Sequence, residues 1–373
     1  MPVVVPLHKK KDLKAFVDFP HLLYKYDPCY VPELYVAQKH MLLPDRHPFH
    51  DHSDVQLFLA YQNNKVVGRI AAIHNRNHNH FNQSNDGCFG FFEVIEDYTV
   101  AEALLSAALS WLKAQGLETM MGPLNFSTNE SCGILIQGFD SPPVTLMSYN
   151  PPYYLQFLET FGMTKKVDLW AYLLQEEQLQ DKSTKLLKPL EARLNNKAII
   201  IRKVNLKNFD KEVEGILHVY NSAWSKNLGF VPMTEKEFKY MAQEMKRIID
   251  DDFCLVAEHE GKMVGFALCV PDVNEVLIKV KKGRLFPFGL FKLLYHRKNI
   301  KKLRVVALGV LEQYRKIGIE ACFYGRIILK GREKNIRMAE ASWVLENNEM
   351  MNLAAKKMGG KVYKKYRIYQ KAI

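Results

Sequence analysis

The segment Val310–Glu320, VLEQYRKIGIE, places two basic residues and a glycine between an apolar strand-like run and the start of a helical pattern. Backbone N–H groups at a helix N-terminus point outward, and the helix dipole adds to their attraction for an anion. Gly318 would let the backbone approach such a ligand closely, and Arg315 and Lys316 would add positive charge. The sequence therefore predicts a site for a pyrophosphate group at this turn.

Three carboxylates are candidates for a general base, a group that commonly contributes about 10²–10⁴ in rate. Glu340 lies on the strand-like run RMAEASWV, Glu346 follows this run directly, and Glu93 lies near the end of the run CFGFFEVI. Glu340 is the first candidate, because its strand is expected to bring it near the pyrophosphate turn. The alternative for each is a carboxylate that is solvated or paired for structural reasons.

Strands and helices alternate through the second half of the chain. KAIIIRKV is a predicted strand, and EVEGILHVYNSAW and EKEFKYMAQEMKRIID are predicted helices. FCLVAEHEGKMVGFALCV is a hairpin that turns at Glu260-Gly261. LRVVALGV is a buried strand, and a helix follows at about 318–330. The strand RMAEASWV, the helix NNEMMNLAAKKM and the strand KVYKKYRIYQK complete the series.

The first half repeats this order more loosely. Its hairpin VQLFLAYQNNKVVGRIAAI turns at Asn63-Asn64, and VVGRIAA holds the place that MVGFALC holds in the second half. The buried strand CFGFFEVI precedes a strongly amphipathic helix, TVAEALLSAALSWLKAQG. Strands mixed with helices and hairpins predict an α/β fold with mixed sheets. We predict two domains, 1–175 and 199–373, joined by a polar connection at 176–198.

The second half resembles a GNAT domain, the fold of acyl-CoA-dependent N-acyltransferases, in its order of elements and in its loop. Arg315 and Gly318 fit the family pattern R/Q-x-x-G-x-G/A, although Glu320 stands where a second small residue is usual. Asn348, with a glycine eleven residues later, fits a second pattern, although Ala355 stands where a tyrosine is common. The resemblance implies acetyl-CoA or a longer acyl-CoA as cosubstrate, and no metal. The cofactor-binding residues that it implies are Gly309, Val310, Arg315, Lys316, Ile317, Gly318, Ile319 and Asn348.

For the first half the resemblance covers the order of elements only, because CFGFFEVIEDYTVAEALL has no glycine loop between strand and helix. We therefore predict that residues 1–175 form a GNAT-like domain that has lost cofactor binding. The whole arrangement, with FPHLLYKYDPCYVPEL early, NPPYYLQFLETFG midway and KKYRIYQK at the end, resembles bacterial tandem-GNAT proteins. That group includes enzymes that acylate long-chain amines, such as the bacterial ceramide synthases.

Acyl transfer to an amine needs donors for the oxyanion and a proton for the leaving thiolate. A splay of the central strand from its neighbour would expose N–H groups near Gly309 and Val310, and one such donor is worth about 3–4 kcal/mol. The alternative is a strand that is paired along its whole length. Ala355 removes the usual proton donor, but a thiolate with a reference pKa of about 8.5 can leave without strong help. Three tyrosines of the last strand could substitute or could only pack across strands: Tyr363, Tyr366 and Tyr369.

Two polar stretches of the first half have both a structural and a functional interpretation. His74, His78 and His80 in HNRNHNHFN have side chains of the metal-ligating type. The Asn-rich composition gives no firm helix there and favours a polar substrate-binding or interdomain loop. In GPLNFSTNESCG several polar residues could bind the acceptor or could cap the next element: Asn125, Ser127, Asn129 and Glu130. We predict no metal site in either stretch.

An insertion at 271–302 stands where the GNAT plan usually has a short turn. It opens with apolar residues at helical spacing, so we predict a helix at its start. The run GRLFPFGLFKLLYHRKNIKK then mixes phenylalanines and leucines with lysines and arginines. This composition is typical of a segment that lies on an anionic membrane or covers an acyl chain, and equally of a helical cover with a solvated basic edge. The membrane hypothesis assigns peripheral contact to 284–302.

The amino-acid composition limits the classes of partner that the protein could bind. The 373 residues include 52 Lys and Arg against 40 Asp and Glu, a formal net charge of +12 that would attract nucleic acid, an anionic membrane or a phosphate-rich cofactor. No zinc finger, aromatic RNA-binding signature or basic repeat favours nucleic acid. No apolar run approaches the ~18 residues of a spanning helix, and the N-terminal charge order is the reverse of a secretory signal. Six scattered cysteines indicate buried thiols. We expect a cytoplasmic protein, peripheral at the inner membrane face under the membrane hypothesis.

Three functions fit these observations. The first is an N-acyltransferase that moves an acyl group from acyl-CoA to an amine, with a long-chain amine as one candidate acceptor. The second is a non-catalytic tandem-GNAT protein that binds CoA or a lipid, which Glu320 and Ala355 favour. The third is an aminoacyl- or peptidyl-transferase that uses charged transfer RNA. The net charge is compatible with this function, but the apolar insertion gives it no support.

Overall fold

Contacts divide the chain into two compact units. The computed structural model describes residues 1–8, 12–179, 182–224 and 230–373, with all side chains except those of residues 182, 183, 281 and 297. Residues 9–11 of the N-terminal basic cluster and residues 180–181 of the predicted connection lie outside this part. Unit 1 comprises Met1–Leu169, Asn274–Lys298 and Lys364–Ile373, and unit 2 comprises Trp170–Val273 and Asn299–Tyr363.

Strands and helices alternate along the described residues. The strands are β1 (Val3–Pro6), β2 (Ser53–Gln62), β3 (Lys65–Asn75), β4 (Asp86–Val94), β5 (Thr119–Gly122), β6 (Leu124–Asn125), β7 (Ser131–Cys132), β8 (Ile134–Gln137), β9 (Thr164–Gln175), β10 (Ile199–Lys203), β11 (Cys254–His259), β12 (Lys262–Pro271), β13 (Lys302–Val310), β14 (Met338–Leu345) and β15 (Lys361–Ala372). The α-helices are α1 (Leu13–Leu23), α2 (Tyr35–Met41), α3 (Arg76–Asn82), α4 (Tyr98–Ala114), α5 (Tyr153–Thr160), α6 (Lys182–Lys185), α7 (Leu187–Asn195), α8 (Phe209–Trp224), α9 (Glu235–Lys246), α10 (Asn274–Leu277), α11 (Gly289–His296), α12 (Ile319–Glu333) and α13 (Glu349–Lys357).

Unit 1 is built on a mixed sheet with the strand order β1-β2-β3-β4-β5-β15, and β8 also pairs with β15. β4 and β5 run parallel, which requires a crossover connection, and helix α4 supplies it. Asp97 starts this helix by accepting the Thr99 N–H at 2.9 Å, a preferred N-cap arrangement. The apolar face of α4, which includes Leu104, Leu105 and Ala108, is fully buried in the core of the unit.

Unit 2 repeats this plan with the strand order β14-β13-β12-β11-β10. β13 and β14 run parallel and are connected by α12, and the other neighbours are antiparallel. Helix α9 begins with a capping box, in which Thr234 Oγ1 accepts the Glu237 N–H at 3.2 Å and Glu237 accepts the Thr234 N–H at 2.9 Å. The mixed α/β fold predicted from the sequence is therefore confirmed.

Both predicted hairpins are confirmed at the predicted turn residues. Asn63 and Asn64 have φ of +49° and +60°, and Glu260 and Gly261 have φ of +51° and +75°. A two-residue turn with positive φ at both central positions matches the right-handed twist of the flanking strands. The two hairpins, β2-β3 and β11-β12, consequently hold the same place in the two units.

The compact units differ from the predicted domains at four places, the first of which is residues 170–175, which belong to unit 2. Residues 274–298 of the predicted insertion belong to unit 1, because Asn274 Nδ2 donates to the Pro143 carbonyl at 2.9 Å and Arg284 lies 3.2 Å from Asp18. The last ten residues also belong to unit 1, through the pairing of β15 with β5 and β8. The predicted connection 176–198 contains α7, whose Leu187 and Leu194 are buried in the core of unit 2. The predicted helix at the start of the insertion is confirmed as α10.

Candidate functional site

The turn between β13 and α12 has two residues in the left-handed backbone region. Lys316 has φ +64° and Gly318 has φ +112°, and a glycine adopts such a value without the steric cost of a side chain. No N–H group of residues 316–318 donates a backbone hydrogen bond to another described residue. The first N–H groups of α12 also lack intrahelical partners, as at any helix start. Several adjacent N–H groups of this turn are therefore without a backbone partner among the described residues, and their binding of a cofactor stays a prediction.

Arg315 folds back onto the end of β13. Its Nε donates to the Val310 carbonyl at 3.0 Å and its Nη2 to the Ala223 carbonyl at 3.4 Å. The guanidinium charge consequently lies beside the last residue of β13. Lys316, the second predicted basic residue of the turn, is exposed. Glu320, which departs from the family pattern, is half-buried in the first turn of α12.

β13 leaves its parallel neighbour halfway along its length. It pairs with β14 from Lys302 to Val305, whereas its pairing with β12 continues to Val310. Within the described ranges no pairing to β14 extends beyond Val305. Val306 is the extra residue of a β-bulge, because Cys269 pairs with Val305 and Leu268 with Ala307, and a bulge bends its strand. The predicted splay of the central strand is confirmed.

Beyond Val305, one edge of β13 no longer pairs with β14, and we call it the open edge. Successive N–H groups along a strand point to opposite edges, so the register decides which of them face the open edge. The Leu311 N–H donates to the Val264 carbonyl at 2.9 Å, so the N–H of Gly309, two residues earlier, also points to the β12 side. The N–H groups of Leu308 and Val310 therefore point to the opposite edge. Of the two residues predicted near the oxyanion site, Val310 directs its N–H to the open edge and Gly309 does not. Gly309 instead packs under Trp224, whose ring carbon would lie 2.4 Å from an added Cβ.

Glu340 lies at the fork where the two strands separate. It stands opposite Arg304 in the parallel register, one pair before the last pair of β13 and β14. Its side chain is fully buried, and the Tyr363 hydroxyl donates a hydrogen bond to its Oε2. Its other oxygen, Oε1, has no hydrogen-bond partner among the described residues. The first of the predicted carboxylates is thus a buried group with one acceptor oxygen unused.

Burial dominates the electrostatics of Glu340. Removal from water raises the pKa of its carboxyl to about 7, although a hydrogen bond from Ser342 and the charges of Arg304 and Lys302 act in the opposite direction. Arg304 is itself held in place, because its Nε donates to Ser342 Oγ at 3.1 Å and its Nη2 to the Ser342 carbonyl at 3.2 Å. A carboxyl with a pKa near neutrality has the value that suits a general base at physiological pH.

Sequence patterns missed Arg304 and Ser342. One signal was present, since LRVVALGV is an apolar strand with a single arginine, and a charged residue in a buried strand needs a polar partner. Tyr363, which the sequence offered as a possible proton donor, is the hydroxyl that contacts Glu340. Tyr369 instead donates to Glu159 at 3.1 Å in unit 1.

Three other residues singled out in the second half lie on or beside α13. Asn348 caps α13 by accepting the Met351 N–H at 3.1 Å. Ala355, at the position of the expected tyrosine, is buried in a small cluster with Tyr172. Glu346 follows β14 and is half-buried, and its carbonyl accepts from Asn352 Nδ2 at 3.1 Å.

Glu93 belongs to a buried polar cluster of unit 1. It accepts hydrogen bonds from the Tyr24 hydroxyl at 2.5 Å and the Tyr154 hydroxyl at 2.9 Å, and Arg69 Nη2 lies at 3.9 Å. Arg69 also donates to the Phe16 carbonyl at 2.8 Å. Burial raises the pKa of Glu93, and Arg69 and the two hydroxyl donors oppose this shift. With three partners around it, this carboxylate has the surroundings of a structural ion pair.

Glu93→Gln is expected to lower the free energy of unfolding by about 3–5 kcal/mol, because the Arg69 charge would stay buried without its carboxylate. Urea unfolding measures this change. The double variant Arg69→Met/Glu93→Gln should recover part of the loss, since it leaves no buried charge. A single variant that is as stable as the wild type but inactive would contradict the structural assignment.

The two polar stretches of unit 1 also form local structure. Residues 76–82 form helix α3 and not the predicted loop, because the Asn75 side chain caps it by accepting the His78 N–H at 3.0 Å. His78 Nε2 lies 3.3 Å from Asp86. In the second stretch, Asn125 Oδ1 accepts the Phe91 N–H at 2.7 Å, and the Ser127 hydroxyl donates to Glu130 at 2.6 Å. These contacts are those of caps and turns.

Comparison with known proteins concerns the chain as a whole. No family model matches the chain. Protein YghO of Escherichia coli is 35% identical over 370 residues, which cover 98% of this chain and 94% of that protein. A bacterial ceramide synthase of Caulobacter vibrioides is 33% identical over 386 residues, which cover 99% of this chain and 97% of that protein. The solved structure of a tandem GNAT protein from the clavulanic acid biosynthesis pathway matches 100% of this chain and 98% of its own, with a TM-score of 0.60 at 11% identity. The fold is therefore that of tandem GNAT proteins.

Proposed function

This chain belongs to the family of tandem GNAT-fold proteins that includes protein YghO and the bacterial ceramide synthase, and from this premise we propose that it transfers an acyl group from a CoA thioester to a long-chain amine. Family and fold support an acyltransferase in general terms. The name of the Caulobacter relative supports the choice of acceptor, because ceramide is an N-acylated long-chain amine.

The observation that carries the proposal is the open edge of β13, which connects two sites of different chemistry. At its far end the turn through Gly318 has N–H donors without a backbone partner among the described residues, and at the fork Glu340 is buried beside Tyr363. From Arg304, opposite Glu340, to Val310 the strand advances six residues, or roughly 20 Å. An extended ligand with a diphosphate at one end and a reactive carbonyl at the other fits this distance. Acyl-CoA has this form, with the pantetheine arm between the two.

The open edge offers main-chain donors to such an arm. The N–H groups of Leu308 and Val310 point away from β12, as they would toward an added strand. Leu308 lies nearer the fork, so we assign its N–H to the pantetheine arm, which carries the thioester on toward Glu340. Arg315, bound to the Val310 carbonyl, adds positive charge at the diphosphate end.

Glu340 and Tyr363 would move the protons. The amine nitrogen attacks the thioester carbon, and its excess proton passes to the unused oxygen of Glu340. The carbon–sulfur bond then breaks, and the thiolate takes a proton from the Tyr363 hydroxyl. Rotation of the protonated Glu340 carboxyl group then presents this proton to the Tyr363 oxygen, which Oε2 contacts in the resting state. The products are an amide and free CoA thiol, and both residues regain their initial states.

We expect amine-dependent release of free CoA thiol when the protein is incubated with palmitoyl-CoA and sphinganine or dodecylamine. The release is measured with a thiol-reactive dye, and the amide is identified by mass spectrometry. Reactions without amine and reactions with acetyl-CoA are the controls for thioester hydrolysis and acyl length. Binding of CoA without turnover would support the non-catalytic alternative. Absence of both binding and turnover, with activity on charged transfer RNA, would support the third function.

A further inference from the structure

An exposed apolar surface lies on the insertion of unit 1. Five large apolar side chains within ten residues are mostly solvent-exposed: Phe286 (78%), Phe288 (71%), Phe291 (71%), Leu294 (60%) and Tyr295 (77%). We call these five residues the aromatic patch. A soluble protein rarely exposes contiguous apolar side chains in this number unless they contact a partner. We therefore expect a binding partner to cover the aromatic patch.

Helix α11 shows that the exposure is not a result of an unfolded segment. Leu290 and Leu293 are half-buried, and Gly289 packs against Val280, so one face of the helix is anchored to its own unit. Phe291, Leu294 and Tyr295 follow the spacing i, i+3, i+4 and form a second apolar face, which points to solvent. A surface helix in water normally has polar residues on that face.

The positive charges around the aromatic patch indicate the chemical class of its partner. Residues 276–298 include seven Lys or Arg and no Asp or Glu. Lys279, Lys282, Lys292 and Lys298 are exposed in this segment, and Arg284 is anchored to Asp18 and stacks on the Tyr35 ring at 4.3 Å. Aromatic rings beside lysines match the interface of an anionic bilayer, where rings enter the acyl boundary and ammonium groups contact phosphates.

We propose that the aromatic patch and its flanking lysines dock the protein peripherally onto an anionic lipid bilayer. No described helix combines the length and apolar character needed to cross a bilayer, and the contact proposed is interfacial. The proposal is independent of the proposed enzymatic function, because binding to vesicles is measured without turnover. If both hold, the lipid surface is also the source of the long-chain amine.

Sedimentation with vesicles tests the proposal. We expect the full-length protein to sediment with vesicles of equimolar phosphatidylglycerol and phosphatidylcholine, and much less with phosphatidylcholine alone. Phe288→Ser/Phe291→Ser should lower the partition coefficient by at least about tenfold, because two rings no longer leave water. At low salt, Lys292→Gln/Lys298→Gln should lower the partition coefficient by about fivefold for each lysine. The difference between this variant and the wild type should shrink as salt is added.

The matched control is Met350→Ser/Leu353→Ser, which removes two exposed apolar residues from α13 of unit 2. This variant should bind vesicles like the wild type. Circular dichroism and thermal melting should be unchanged for all three variants, because the replaced side chains are exposed. Absence of wild-type sedimentation, or equal loss in the control and the patch variant, would overturn the proposal. So would a dimer in ultracentrifugation that the patch variant disrupts without any vesicle binding.

Discussion

Glu340→Gln is expected to lower kcat by about 10²–10⁴-fold, with KM for acyl-CoA nearly unchanged, because it removes the proton acceptor and keeps the shape of the side chain. Steady-state thiol release measures both constants. In the wild type, kcat should rise with pH through an ionisation near 7, since burial raises the pKa of Glu340 to about 7 and only its carboxylate accepts a proton. The residual activity of the variant should lack this ionisation.

The same substitution should have the opposite effect on stability. The pKa of Glu340 is about 7 in the folded protein, whereas an ordinary glutamate has a pKa of about 4.5, so the folded state binds the proton more tightly than the unfolded state. The stabilisation that this tighter proton binding gives the folded state is fully present below about pH 4.5 and is lost as pH rises through 7. The free energy of unfolding changes by about 3 kcal/mol over this range. Relative to the wild type, Glu340→Gln should therefore gain stability from pH 5 to pH 8, as urea unfolding at both values would show.

Glu346→Gln is the matched control, because it removes a carboxylate that follows the same strand and is only half-buried. Its kcat and its pH profile should stay close to those of the wild type. If Glu340→Gln kept the wild-type pH profile at reduced stability, Glu340 would be a structural carboxylate and the proposed base would be wrong.

Gly318→Asp is expected to weaken binding of CoA by at least about a hundredfold, which corresponds to about 2.7 kcal/mol. An L residue at φ +112° is strained, its Cβ would lie 3.1 Å from Leu190, and its carboxylate would face the diphosphate. Titration calorimetry with CoA measures the loss. Because the diphosphate contact is made in both the ground state and the transition state, kcat at saturating acyl-CoA should change much less than kcat/KM.

The matched control is Gly261→Asp. Gly261 also has positive φ, +75°, and has nothing within 4 Å of an added Cβ, and it lies in the β11-β12 turn of the same unit. It introduces the same charge, and also a side chain at a positive φ, away from the turn before α12. Equal loss of CoA binding in the two variants would mean that the effect is one of general destabilisation or net charge, and the diphosphate assignment would fail.

The order of elements was predictable because it depends on short-range patterns. Apolar periodicity marks the strands and helices over a few residues, and the hairpin turns carry residues that tolerate positive φ, such as the Asn63-Asn64 pair. The turn before α12 was predictable for the same reason, since Gly318 stands where the backbone takes φ +112°. Each of these signals lies within the segment that it specifies.

The details of the site depend on long-range register and could not be predicted in this way. The N–H of Val310 faces the open edge and that of Gly309 faces β12 because of the pairing of β13 with β12, including the bulge at Val306. The pKa of Glu340 depends on Arg304 and Ser342 as well as on its burial. Neither the register nor the burial is specified by the residues next to Glu340 in sequence.

Local composition misled the interpretation at one place. The histidine and asparagine residues after β3 suggested a loop, yet they form α3. Asn75 accepts the His78 N–H at the start of this helix, and Asn79 contacts Asp86, the first residue of β4, through both side-chain atoms. Asparagines that favour turns in general can instead satisfy helix ends when a neighbouring strand supplies partners.

Each half of the sequence ends with a strand that is divided between the two units. β9 runs from Thr164 in unit 1 to Gln175 in unit 2, and β15 runs from Lys361 in unit 2 to Ala372 in unit 1. A fragment limited to 1–175 would lack the strand that pairs with β5 and β8, and would offer bare edges on which other chains aggregate. The halves are therefore not separable modules: neither can be deleted, exchanged for a homologous copy or produced alone without taking a structural strand from the other.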